Sequence, residues 1–171
     1  SHTAMKELYD EWSGYLFALC LRYVPDRETA GDILQDSLVK IFSNAGSFSY
    51  KGPGSLKAWI SRIAVNEALQ YLRKKKGGEM IEYKDSLPDI VSEEPEEADI
   101  GKIPANVLQK MIEELPEGYR TIFNLFVFEE MSHKEIAAAL GISESTSASQ
   151  FHRARKLLAR KIKEYGKGLD R

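Results

Sequence analysis

The sequence predicts an all-α protein: two small helical domains, the C-terminal one a helix-turn-helix, joined by a flexible acidic linker. Three observations carry this. Apolar residues recur at three- and four-residue steps through two long blocks, which is the helical period. Only six prolines and twelve glycines interrupt 171 residues. Charge divides the chain into blocks of +3 over residues 1–76, −7 over residues 77–103 and +2 over residues 104–171, hidden within a formal net charge of −2. These breaks set the expected domains at 5–76 and 104–167, with 77–103 as the linker.

Leu8, Trp12, Tyr15, Leu16, Leu19 and Tyr23 form the stripe of a first helix, which Pro25-Asp26 interrupts. A second helix is expected from about Glu28 to Ser43, with Ala30, Ile33, Leu34, Leu38, Ile41 and Phe42 on its apolar face. The stretch Asn44 to Ser55 carries Gly46, Gly52, Pro53 and Gly54 and reads as a loop. A third helix spans about Leu56 to Lys75, with Trp59, Ile60, Ile63, Ala64, Leu69 and Leu72 inward. Lys74, Lys75 and Lys76 suit the negative end of its dipole.

Gly77-Gly78 opens the linker, whose prolines and Glu93-Glu94-Pro95-Glu96-Glu97 run leave little to bury. Pro104 to Leu115 is the next helix, and Pro116 starts another through about Phe128. Ser132 and Glu135 have the spacing of a capping box, Gly141 ends that helix and Ser143 caps the next, about Glu144 to Ile162. Helix, short turn, helix is the helix-turn-helix arrangement.

The last helix is the sharpest nucleic-acid signal. From Ser145 to Lys163 it holds six basic residues and no acidic one. Its first turns offer Ser145, Thr146, Ser147, Ser149 and Gln150. Such residues reach base edges and phosphates from a recognition helix; the bland reading is a solvated, dipole-matched helix end. Asp32, Gln35 and Asp36 share one face of the second helix, which taken alone is a solvated face. Phe48, Tyr50 and Lys51 among loop glycines can stack and hold unpaired bases. Alternatively, Phe48 is a core anchor. Asn66, Gln70 and Arg73, at i, i+4 and i+7, extend that inventory to the closing lysines.

Other classes find little support. One cysteine, Cys20, rules out a disulfide framework within the chain and reads as a buried core residue rather than a reactive thiol. No run of about 18 apolar residues suggests membrane insertion. No signal peptide is visible, and Met5 is the expected natural start after an appended Ser1–Ala4. No phosphate-binding glycine loop or metal-ligand cluster occurs, so neither cofactor nor metal is expected.

Three segments resemble a known family. Ala30 through Phe42 resembles the polymerase-binding helix of sigma region 2, and Trp59 through Lys74 its promoter-melting part. Leu115-Pro116-Glu117-Gly118-Tyr119-Arg120, with the helix-turn-helix and Arg153 to Leu158, resembles sigma region 4. The likeness covers nearly all of residues 5–165, with no segment for region 1.1 or region 3, which resembles the extracytoplasmic-function (ECF) sigma factors. The resemblance implies a cytoplasmic, non-enzymatic, monomeric factor that binds core RNA polymerase and promoter DNA and opens the duplex.

Each site residue then has an implied role. Asp32, Gln35 and Asp36 would meet the β′ clamp helices of core RNA polymerase, whose β flap is the other expected contact. Phe48, Tyr50, Lys51, Asn66, Gln70, Arg73 and Lys74 would hold the separated −10 strand. Ser145, Thr146, Ala148, Ser149, Gln150, His152, Arg153 and Lys156 would read the −35 element. The linker would thread near the polymerase active site, and an anti-sigma factor would hold the protein inactive.

The chain departs from the family at four noted positions. Gln70 stands where aspartate is common, Ser145 replaces a frequent glycine, Ser147 a frequent apolar residue, and Ala148 a long basic side chain. Phe126-Val127-Phe128 is unusually apolar, either core or a partner surface. The alternatives to a sigma factor are a DNA-binding regulator acting without polymerase, an enzyme, and a degenerate factor that only sequesters a partner.

Overall fold

A computed structural model describes residues 2–75 and 103–169. Seven α-helices and one short 3₁₀ turn make up the regular structure of those residues, with no strand among them. The chain divides into two compact units, Ser1–Glu79 and Met80–Arg171. The expected acidic linker falls outside the described residues, apart from Ile103.

In the first unit α1 (His2–Tyr23), α2 (Arg27–Ser43) and α3 (Ser55–Lys75) pack pairwise. α1 stops two residues short of Pro25, as the steric demand of proline on its predecessor requires. Asp26 then caps α2, its carboxylate accepting the Thr29 backbone N–H at 3.0 Å. Hydrogen bonds from the Thr29 hydroxyl and amide hold the Asp26 carboxyl below its usual range. Leu16, Leu19, Tyr23, Ile41, Ile60 and Leu72 are almost wholly buried. Ser37 joins them at no polar cost because its hydroxyl donates to the Ile33 carbonyl at 2.7 Å.

α3 differs from the expected single stripe. Val65 and Ala68 are buried, whereas Trp59 and Ile63 are half-exposed. The cause is position: α3 packs against both α1 and α2, so two of its faces turn inward.

The second unit comprises α4 (Ala105–Glu113), α5 (Glu117–Val127), α6 (His133–Leu140) and α7 (Glu144–Leu169), with α7 packed on the other three. Pro104 and Pro116 are N-caps, where a missing N–H costs nothing. Its core gathers Met111, Ile112, Leu115, Tyr119, Phe123, Ala154, Leu158 and Ile162. α5 is buried continuously from Tyr119 to Leu125. Its polar members bond locally: Thr121 donates to the Glu117 carbonyl at 2.8 Å and Asn124 to the Arg120 carbonyl at 2.8 Å. α7 runs past the expected end at Ile162, because Tyr165 still packs on the core and Arg160 pairs with Glu164 one turn on.

Candidate nucleic-acid and partner interfaces

α2 is two-sided. Ile33, Leu34, Ser37, Leu38 and Ile41 are buried, while Asp32, Gln35 and Asp36 are exposed together on the opposite face. Val39, 63% exposed, adds an apolar group to that acidic face. An exposed valine among carboxylates offers both a charge match and some area to a partner helix.

The loop after α2 is ordered by its own polar groups. Asn44 donates to the Lys40 carbonyl at 2.8 Å, and the Ser47 hydroxyl to the Asn44 carbonyl at 2.7 Å. At its far end the Ser55 hydroxyl donates to the Gly52 carbonyl at 2.8 Å, in a turn where Gly52 and Gly54 both take positive φ. Phe48 is half-buried, with its ring tilted at 45° and 5.2 Å from that of Trp59, a contact that favours the core-anchor alternative. Tyr50 (70% exposed) and Lys51 are the loop groups offered to solvent.

Asn66, Gln70 and Lys74 are exposed along α3, and Arg73 is half-buried beside them. Between α2, the loop and α3 lies a cleft of about 270 Å³. Trp59 and Ile63 supply its apolar wall, and Asn66, Gln70, Lys40 and Glu67 its polar groups. Lys40 and Glu67 form an ion pair there. Sequence reasoning missed this pair, since nothing in the spacing of residues on two different helices announces it.

In the second unit the predicted turn is realised. Ser132 accepts the Glu135 N–H at 3.1 Å while Glu135 accepts the Ser132 N–H at 3.1 Å. Hydrogen bonds from the Ser132 backbone N–H and side chain hold the Glu135 carboxyl below its usual range. Gly141 ends α6 in the left-handed conformation at φ 68°, and the Ser143 hydroxyl accepts the Thr146 N–H at 3.0 Å. α7 therefore starts at a fixed angle with Ser145, Ala148 and His152 exposed, and Thr146, Ser149, Arg153 and Lys156 half-buried at their flank.

Gln150 corrects the sequence reading. It is 1% exposed and lies on the inward face of α7 with Ser147, Ala154 and Leu158. Positions 147, 150, 154 and 158 follow the helical period, so a residue that reads as polar in sequence is directed into the protein. Ser147 is fully buried, and its hydroxyl lies 2.9 Å from His133 Nδ1 on α6. Thr146 and Ser149 are partly occupied as well: Ser143 donates to the Thr146 hydroxyl at 2.8 Å, and Ser149 to the Thr146 carbonyl at 3.1 Å.

Phe126, Val127 and Phe128 divide between the two expected roles. Phe126 stacks on His133 at 4.6 Å and lies 4.3 Å from the Phe151 ring, whereas Val127 and Phe128 are more than two-fifths exposed. Arg120 also proves structural. It is buried and donates to the Leu115 carbonyl at 2.7 Å, tying the end of α4 to α5. Burial pushes its guanidinium below the ordinary value, against the charges of Glu117 and Glu113.

No cluster of three or more potential metal ligands occurs among the described residues, and none of their helices is long and apolar enough to cross a membrane.

Comparison with known proteins gives concordant matches. Residues 8–77 match a family described as Sigma-70 region 2, and residues 105–158 one described as Sigma-70, region 4. The chain is 30% identical to the RNA polymerase sigma factor SigV of Bacillus subtilis (strain 168), over 83% of this chain and 81% of that one. It is 28% identical to the ECF RNA polymerase sigma factor SigW of the same organism, over 94% and 90% of the two chains. Among solved structures, it resembles the sigma factor RpoE in complex with the anti-sigma factor NepR from Bartonella quintana. There the TM-score is 0.53 at 25% identity, covering 93% of this chain and 96% of that one.

Proposed function

The chain belongs to the sigma-70 family of RNA polymerase sigma factors, and on that footing we propose how its residues divide the work of starting transcription. It is an ECF sigma factor, one that binds core RNA polymerase and recognises promoter DNA. Sigma factors are initiation factors; the polymerase itself makes the RNA.

In this reading residues 5–76 form the polymerase- and −10-binding domain and residues 104–167 the −35-binding domain. Asp32, Gln35 and Asp36 dock on the β′ clamp helices, a role supported by their joint exposure on α2. Tyr50 and Lys51, with Asn66, Gln70, Arg73 and Lys74, hold the separated −10 strand. Capturing a base outside the stack offsets an opening cost of a few kcal/mol per base. Phe48 supports that surface from below through Trp59. Ser145, Thr146, Ala148, Ser149, His152, Arg153 and Lys156 meet the −35 duplex, and the same domain meets the β flap. With Ala148 in place of a long basic chain, more of the affinity falls to phosphate contacts and to the polymerase tether.

The linker, residues 77–103, threads toward the polymerase active site, its −7 charge suiting channels built for nucleic acid. The factor works in the cytoplasm as a monomer before it meets polymerase. An anti-sigma factor restrains it by covering faces that polymerase needs; the solved relative bound to NepR supports this.

The observation that carries the proposal is that one three-helix bundle exposes two separate polar faces, Asp32/Gln35/Asp36 on α2 and Asn66/Gln70 on α3. A factor that must hold polymerase and strand together needs two such faces. The test is transcription in vitro by core polymerase on random promoters, with and without this protein. Enrichment of one bipartite motif with −35- and −10-like spacing is expected. Polymerase binding without enrichment would mark a sequestering factor, and no polymerase binding a stand-alone DNA regulator.

A further inference from the structure

Which side chains of α7 reach a DNA groove depends on the rotation of the helix about its own axis. Successive residues of a helix point about 100° apart. Ser145, Ala148 and His152 are exposed, while Ser147, Gln150 and Ala154 beside them are buried. A turn of α7 by a fraction of one step would carry the outward set off line.

The two halves of α7 are held by different means. Ala154, Leu158 and Ile162 join the apolar core. Apolar contact is non-directional and tolerates some rotation. In the first turns Ser147 contributes a hydroxyl, 2.9 Å from His133 Nδ1. A hydrogen bond weakens steeply as it bends, so this contact fixes a rotation, whichever atom donates. The family favours an apolar residue at 147, which would pack there without fixing an angle.

His133 is held in turn. It opens α6 directly after Ser132, whose capping box sets the path of the chain. Its ring stacks on Phe126 of α5 at 4.6 Å and 17°, and lies 5.9 Å from Phe151. The position of Nδ1 is therefore set by α5 and α6 together, and Ser147 passes that reference to α7.

We propose that His133 is a positioning residue for −35 recognition: through Ser147 it sets the rotation at which α7 presents Ser145, Ala148 and His152 to the base edges. The inference rests on the assignment of α7 to the −35 element. It places part of the specificity in a contact inside the domain rather than at the DNA surface.

The test uses holoenzyme reconstituted with core polymerase and promoter duplexes in which each −35 base pair is replaced in turn. The wild type should bind the preferred element roughly 5- to 150-fold more tightly than a single replacement. Ser147→Ala removes the hydroxyl but supplies a better helix former, so the unfolding midpoint should stay close to wild type. Its discrimination should nevertheless drop by about threefold or more, because readout needs side chains within about 10–20° of their working direction. His133→Phe keeps a ring against Phe126 and loses Nδ1, and should show the same drop. His133→Asn places a polar amide atom as far along the side chain as Nδ1, and should restore most of the discrimination. Affinity for non-promoter duplex, which reports phosphate contacts, should stay within about twofold in all three variants. Discrimination within about twofold of wild type in both Ser147→Ala and His133→Phe overturns the proposal and leaves the contact as a structural tie. So does a loss in His133→Phe that His133→Asn does not restore while Ser147→Ala reads normally, which traces the effect to the ring alone. Equal binding of every replaced duplex by the wild type fails at a different level: it removes α7 from the −35 element, and the proposal with it.

Discussion

The Ser147 hydroxyl lies 2.9 Å from Nδ1 of His133, a polar contact that joins the two helices of the helix-turn-helix. Ser147 is fully buried where the family favours an apolar residue. A buried hydroxyl without a partner costs about 1–3 kcal/mol. His133 removes that cost, and its ring is itself held by stacking on Phe126 at 4.6 Å, close to parallel at 17°. The polar residue on α7 and the imidazole on α6 therefore make sense only as a pair.

A double-mutant cycle should show this. His133→Phe should cost about 1–2 kcal/mol in urea unfolding of the full chain by stranding the Ser147 hydroxyl. Ser147→Val in the same background should recover part of the loss, giving a coupling of about 1 kcal/mol. Strictly additive effects would mean that the contact contributes nothing.

This pair also marks where the sequence stops being legible. Helix positions, the capping box, Gly141 and the Ser143 cap were all readable, because each is a local rule acting over three or four residues. The exposed face of α2 was readable from helical period alone. The fates of Phe48, Ser147 and Gln150 were not. Each depends on which neighbouring helix covers its side, and polar type wrongly suggested exposure for Gln150. The Lys40–Glu67 pair links residues 27 positions apart on different helices, a contact no local spacing encodes.

The direction of α7 makes a distinct prediction for its neighbouring residues. Arg153→Ala and His152→Ala should each weaken −35 duplex binding by about tenfold, and loss of a phosphate contact should lower the salt slope by about 0.9. Gln150→Ala should instead lower thermal stability and leave base preference intact, as its side chain is 1% exposed. A changed base preference with unchanged stability would show that the helix presents a different face to DNA.

The acidic face of α2 should separate binding from folding. Asp32→Lys with Asp36→Lys should reduce core-polymerase affinity at least tenfold, because charge complementarity becomes repulsion. Both residues are exposed, so the far-ultraviolet spectrum and unfolding midpoint should stay close to wild type. Retained polymerase binding, measured by fluorescence anisotropy, would remove these residues from the interface.

Glu130, in the turn between α5 and α6, is the one non-glycine with positive φ among the described residues, at 54°. That conformation costs a side chain about 1–2 kcal/mol. Glu130→Gly should relieve it, less the greater freedom glycine has when unfolded, for a net gain of about 0.5 kcal/mol. A rise of roughly 2–4 °C in the transition of this unit is expected in calorimetry. Glu130→Val should move the transition the other way.

Cys20 gives the chain a defined response to alkali. It is fully buried, and burial pushes its thiol from 9.0 up to about 12, with Arg22 pulling weakly in the opposite direction. At pH 8 the folded thiolate fraction is then ~10⁻⁴, so iodoacetamide should modify Cys20 only as fast as the protein opens. The sign of the stability effect follows. Above about pH 9 the unfolded chain releases this proton while the folded chain keeps it, so stability present below that value is lost as pH rises toward about 12. The slope approaches about 1.4 kcal/mol per pH unit for this group. Urea midpoints measured from pH 8 to 11 should fall more steeply for the wild type than for Cys20→Ala. Parallel curves, or alkylation at the rate of an exposed thiol, would show that Cys20 reaches solvent in the folded protein.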